Sequence, residues 1–198
     1  NAREMFNAWQ SASMIYPLVT GFHWGALDFQ WYIESGQSQP SVSKTPSGYH
    51  DANNFINLPP HKGTGNISIP EYVKSLASNT PAKGTTPIQV AENILKNADI
   101  ALNWADKQSL ANSKELRIII DDIKAMAWLG KYYAHKITAA TYLAAFRETL
   151  QKEWHNKVID ELNASAGYWR HYATIGLSNN HNPLWTNRVG YVDWKENF

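Results

Sequence analysis

The chain contains no cysteine, which excludes disulfides and thiolate metal ligands and leaves the compartment open, since exported proteins also often lack cysteine. It has no apolar run near the roughly 18 residues that a membrane span requires, so a soluble chain without a span is expected. Charge of one sign is not in excess. Eighteen basic and seventeen acidic residues leave +1, too weak a field to draw phosphate backbones or anionic lipid, and nucleic acid drops out of the expected partners. Familiar motifs are missing as well. His23, His50, His61, His135, His155, His171 and His181 are scattered without an H-E-x-x-H pattern; structural polar roles account for them, and no metal is expected. There is no nucleophile elbow, P-loop or dinucleotide fingerprint, Gly63-Thr64-Gly65 reads as a turn, and no cofactor is expected.

What is present is an ordinary apolar content of 43%, enough to build a core, and an unusual number of aromatic rings. Nine Trp and ten Tyr are either fillers of helix junctions or flat amphipathic faces of the kind that stack on the C–H faces of sugars. The chain opens at Asn1 with neither a start Met nor a signal-peptide pattern, as expected of a mature product or an excised piece.

Residues 1 to about 85 are rich in Gly, Pro, Ser and Asn, whereas 86 to about 178 read as nearly uninterrupted helix. A first helix is expected over Arg3–Leu18, carrying Met5, Phe6, Trp9, Ala12, Met14 and Ile15 and ending near Pro17. Over Val19–Glu34 a short strand followed by a functional loop or a helical turn is expected. Between Ser35 and Gly65 so many Pro and Gly occur that no long element is expected, and a loop of that length is usually functional. Ser68-Ile69-Pro70-Glu71 and Thr86-Pro87-Ile88-Gln89 are both capping boxes with Pro in the first turn, and open helices to about Ser78 and Gln108. Asn112 with Glu115 marks a third N-terminus, for a helix from Leu116 to about Thr149. Its stripe, Leu116, Ile120, Ile123, Ala127, Gly130, Ala134, Ile137, Thr141 and Ala144, follows bundle spacing, and its small central residues invite a close neighbour. A last helix, from about Gln151 to Leu177, presents Trp154, Val158, Ile159, Leu162, Ala166, Trp169, Tyr172 and Ala173. Asn179-Asn180-His181-Asn182-Pro183 breaks it, and a docked tail with Trp185, Arg188, Tyr191, Asp193 and Trp194 closes the chain.

The expected fold class is therefore mainly α. It is an up-down antiparallel bundle of three or more long helices with a long irregular, aromatic-rich N-terminal segment. Residues 1–85 would supply the first helix and the irregular segment packed on the bundle, and 86–198 the bundle with its aromatic tail.

Chemistry-bearing side chains concentrate in two runs, one with His23, Trp24, Asp28, Gln30, Trp31, Tyr32 and Glu34, the other with Tyr49, His50, Asp51, Asn53 and Asn54. Carboxylates accept sugar hydroxyls, His and amides supply further hydrogen bonds, and Trp supplies stacking. His23, Trp24, Asp28, Trp31, Tyr32, Glu34, His50 and Asp51 are thus candidates for binding an oligosaccharide or polysaccharide. Asp28 and Glu34 are also candidates for the two carboxyl groups, roughly 5 to 10 Å apart, of a glycosidase. The same residues serve equally well to knit a loop layer to the helices. Asp121-Asp122, adjacent on a helix, reads as a solvated face.

The runs YPLVTGFHWGALDFQWYIE at Tyr16–Glu34, GYHDANNFI at Gly48–Ile56, IPEYV at Ile69–Val73, DDIKAMAWLGKYYAHKI at Asp121–Ile137 and NRVGYVDW at Asn187–Trp194 resemble the C-terminal helical portion of large glycoside-hydrolase-like proteins from polysaccharide-degrading bacteria. In such proteins a helical region follows a catalytic (β/α)8 barrel and buttresses it. The resemblance implies an accessory helical domain of a carbohydrate-active enzyme, with the parent's barrel as a partner and a periplasmic or extracellular location. The chain lacks the 200 or so residues of a barrel, so alone it is not expected to be a complete enzyme. The alternative from another class is a non-catalytic helical scaffold or protein-binding domain.

Overall fold

The computed structural model describes residues 2–23, 32–45, 48–108, 113–180, 182, 184–187 and 190–193. The fold is mainly helical, as expected. In chain order the helices are α1 (Ala2–Phe22), α2 (Pro40–Ser43), α3 (Ala52–Asn57), α4 (Ile69–Ala77), α5 (Pro87–Ala105), α6 (Lys114–Thr149) and α7 (Lys152–Asn179). Two short antiparallel strands follow, β1 (Leu184–Asn187) and β2 (Gly190–Asp193), with Leu184 opposite Asp193 and Asn187 opposite Gly190.

Local chemistry sets the helix boundaries. Ser68 and Thr86 accept the backbone N–H of Glu71 and Gln89, whose side chains accept the cap N–H in return, with Pro70 and Pro87 in the first turn. Each such cap satisfies two of the N–H groups that a helix start leaves open, a contribution of about 1 kcal/mol. For α6 the cap is Ser113, whose hydroxyl accepts from Leu116 N–H at 3.0 Å, one residue beyond the expected Asn112, which lies outside the described residues. Pro17 does not end α1. The helix continues to Phe22, and His23 N–H still donates to Val19 C=O at 2.8 Å. Up to His23 the segment expected to hold a short strand is instead a last helical turn, because Val19 and Phe22 continue the buried face begun by Ala8, Ala12 and Ile15; residues 24–31, where the rest of that expectation falls, lie outside the described residues. Packing of that face outweighs a proline cost of about 3 kcal/mol.

The central element is α6, which packs on α1, α3, α4, α5 and α7. Its expected stripe from Ile120 to Thr141 is buried, and because it has neighbours on several sides, Leu129, Tyr133, Ala139 and Ala140 are buried too. Helix α5 lies antiparallel to it: Lys124 pairs with Asp106 just past the end of α5, and Lys131, further along α6, pairs with the earlier Asp99. Helix α7 turns back after the left-handed cap Leu150. Its contacts with α6 descend in register, from Phe146–His155 through Tyr142–Trp154 and His135–Glu161 to Trp128–Tyr168.

Two expected faces are rotated. On α1 the small residues Ala8 and Ala12 point inward, while Phe6, Trp9 and Met14 are exposed, because α1 lies close against α5 and α6. A Cβ on Gly130 would come within 2.9 Å of two Ile15 side-chain carbons. On α7 the buried face is Val158, Ser165, Trp169 and Ala173, and Ile159, Leu162 and Ala166 lie outside, since α6 covers only one side of α7.

Candidate functional site

The segment after residue 31 is folded by its own backbone. Tyr32 and Gln37 exchange N–H···O=C bonds of 2.8 and 3.3 Å, and the turn they enclose carries Glu34. Gly36 permits this turn at φ +62, a conformation that residues with a side chain rarely adopt. The Tyr133 hydroxyl donates to Ile33 C=O at 2.5 Å, tying the turn to the middle of α6. The chain then returns antiparallel, with Ser38 N–H donating to Gly48 C=O and His50 N–H to Gly36 C=O.

Behind the turn lies a buried polar chain. His23 Nε2 meets His50 Nδ1 at 2.7 Å, His50 Nε2 meets Ser38 Oγ at 2.7 Å, and all three residues are 0–1% exposed. The His23 ring stacks on Phe55 with centroids 3.8 Å apart. Burial pushes the His23 imidazole well below its ordinary range, with further contributions from His50 and Lys136. Burial followed by Lys136 lowers His50 to about 4, against a smaller opposing effect of Asp51. Both rings are therefore neutral at pH 7, where a hydrogen-bonded imidazole pair is far cheaper to bury than an imidazolium. The Asp51 carboxylate is occupied locally, accepting from Asn54 N–H at 3.0 Å and so capping α3. Ser38, His50 and His23 thus join the end of α1 to the loop that carries Glu34.

On the outer side of that loop is an open cleft of about 670 Å³. Tyr32 and Glu34 line it from the turn, Asp122 and Ala125 from α6, and Tyr172, Ile175, Gly176 and Asn179 from α7; Asn180, Asn182 and Leu184 complete the lining. Partial burial, then the neighbouring Asp121, raises the Asp122 carboxyl. Tyr172 is held well above the ordinary phenol range, first by burial and then by Tyr16 and Glu34. Tyr16 of α1 is raised by burial, Glu34 and Asp122. Glu34 therefore acts on both phenols and Asp122 on Tyr16, which places the two carboxylates in one neighbourhood. Carboxylates supply acceptors, phenols and Asn amides supply donors and acceptors, and Ala125, Ile175 and Leu184 supply apolar contact. This inventory suits a small, hydroxyl-rich ligand.

Of the residues singled out in the sequence, Tyr32 and Glu34 line the cleft, while His23 and His50 sit in the buried chain and Asp51 at a helix cap. Trp24, Asp28 and Trp31 lie outside the described residues. Sequence reasoning missed Asp122, Tyr172 and the Asn residues. One signal was available: Tyr172, Gly176, Asn179 and Asn180 recur at helical spacing along one face of α7. Among the described residues no group of three or more His, Asp or Glu is placed to hold a metal ion. No helix of the described residues is long and apolar enough to cross a membrane.

No family model and no curated protein matches this chain. It shares its fold with part of a larger enzyme. That enzyme is a GH138 enzyme targeting pectin rhamnogalacturonan II, whose solved structure superposes with a TM-score of 0.69 at 16% identity. The match covers 87% of this chain and 20% of the enzyme, so the chain spans about a fifth of its length. At this identity the likeness is one of fold.

Proposed function

We propose that this chain is an accessory helical domain of a glycoside-hydrolase-like, carbohydrate-active protein and that its open cleft forms one wall of a sugar-binding surface. The observation that carries this reading is the convergence of Tyr32, Glu34, Asp122, Tyr172 and three Asn residues from separate parts of the chain on one accessible cleft. The fold shared with a fifth of a GH138 enzyme supports it. The partners are then an oligosaccharide or polysaccharide and the catalytic barrel of the same parent protein, in the periplasm or outside a bacterial cell. Ser38, His50 and His23 hold the turn in place. Asp28 with Glu34 is the pair to test for any hydrolytic role.

Isothermal titration of the isolated chain against a panel of cell-wall oligosaccharides tests the proposal. Binding at about millimolar strength or tighter is expected, and Glu34→Gln should weaken it roughly tenfold by removing a charged acceptor. A chain that binds no member of the panel overturns the sugar reading. Hydrolysis by the isolated chain, lost in Asp28→Asn or Glu34→Gln, overturns its accessory status. One observation favours a protein-binding or scaffold domain instead: an outward apolar hollow formed by Met5, Phe6, Trp9 and Ile119, with Phe6 63% exposed.

A further inference from the structure

We infer that the cleft discriminates among saccharides by charge, admitting neutral sugars and excluding uronates. The inference rests on the reading of the cleft as a sugar surface and narrows its substrate class. Among the described lining residues the charged groups are Glu34 and Asp122, with no Lys, Arg or His beside them. The nearby cations of α6 are engaged elsewhere: Lys124 on Asp106 at 2.9 Å, Lys131 on Asp99 at 2.5 Å, and Lys136 on the Tyr132 hydroxyl at 2.6 Å.

A sugar hydroxyl meets this lining well, because it donates to a carboxylate and accepts from a phenol or an Asn amide. A uronate carboxylate does not. It has no proton to donate, it would stand close to two anions without a counter-charge among the described lining residues, and it would lose hydration on entering. Such repulsion discriminates as effectively as an added attraction. Burial is the main cause of the upward shifts of Tyr16 and Tyr172, and Glu34 adds to both, so its charge is felt by groups of the protein itself. A cation bridging Glu34, Asp122 and the sugar carboxylate would reverse the preference, and titration with added Ca²⁺ reads that case.

The test starts from the neutral oligosaccharide of the panel that binds most tightly and compares it with the same molecule after oxidation of its primary alcohols to carboxylates. Titration at low ionic strength is expected to show the oxidised form binding about tenfold or more weakly, with the gap shrinking as salt screens the repulsion. In Glu34→Gln/Asp122→Asn, with its fold checked by circular dichroism, the gap should also shrink. The salt series needs only the unaltered chain and stands even if that variant does not fold. Equal or tighter binding of the oxidised form, a uronate as the tightest panel member, or uronate binding that appears only with added Ca²⁺ overturns the inference while leaving the sugar surface intact. Absence of binding by every sugar overturns both.

Discussion

At the scale of single residues, Gly130 shows how an atom that is absent shapes the molecule. It lies where α6 meets α1, and Cβ there would sit 2.9 Å from Ile15 Cδ1 and Cγ2. Ile15 is fully buried and β-branched, so it has little freedom to turn away. Gly130→Ala gains about 1 kcal/mol of helix propensity and meets an overpacking cost of about 1–3 kcal/mol. The expected net loss is about 1 kcal/mol, read by urea denaturation, and Ile15→Val should restore part of it by removing one of the two carbons. Additive effects of the two changes would show that they do not share this contact. The small residue was legible in the sequence because it stood in a helical stripe. The roles of His23 and His50 were not, because the pairing of two rings 27 positions apart depends on where α1 ends, and α1 runs past Pro17 to Phe22.

At the scale of elements, the loop from Tyr32 to His50 is held by neutral imidazoles, which makes it sensitive to acid. His50 has a folded pKa of about 4 and His23 one well below 6.5, against about 6.5 in the unfolded chain. Between those values the unfolded state binds more protons, so stability is full above about pH 6.5 and falls as pH drops toward 4. His50 alone contributes roughly 3 kcal/mol to this loss, driven by burial and then Lys136 and moderated by Asp51. Unfolding free energies measured by urea from pH 7 to 4.5 should decline, and His50→Gln should flatten that slope. An unchanged slope would mean that the imidazoles are not what acid attacks. The elements themselves were legible wherever capping chemistry marks them, as at Ser68 and Thr86. They were illegible where tertiary contact decides. Asp51-Ala52-Asn53-Asn54 forms a capping box inside a stretch too rich in Pro and Gly for its short helix to be expected. The sequence between β1 and β2 lacks the Asn-Gly type signal that would have announced the pairing of these strands.

At the scale of the whole molecule, periodicity made the mainly helical fold readable, but the cleft assembles residues about 150 positions apart, from Tyr32 to Leu184, and no local pattern records that convergence. The outward face of α1 was hidden for a related reason. Its apolar residues satisfy helical spacing, yet the core takes the small Ala8 and Ala12 and leaves Phe6 63% and Trp9 40% exposed. If those rings add little to folding, Phe6→Ser should change the unfolding free energy by no more than about 0.5 kcal/mol. The inward Ile15→Ala should cost about 2–5 kcal/mol. The same Phe6→Ser chain should bind less of a hydrophobic dye and self-associate less in sedimentation at high concentration, because it removes the most exposed ring of the apolar hollow. A loss of more than about 1 kcal/mol from Phe6→Ser would instead mean that α1 is covered within its own chain, and the scaffold alternative would then lose the one observation in its favour.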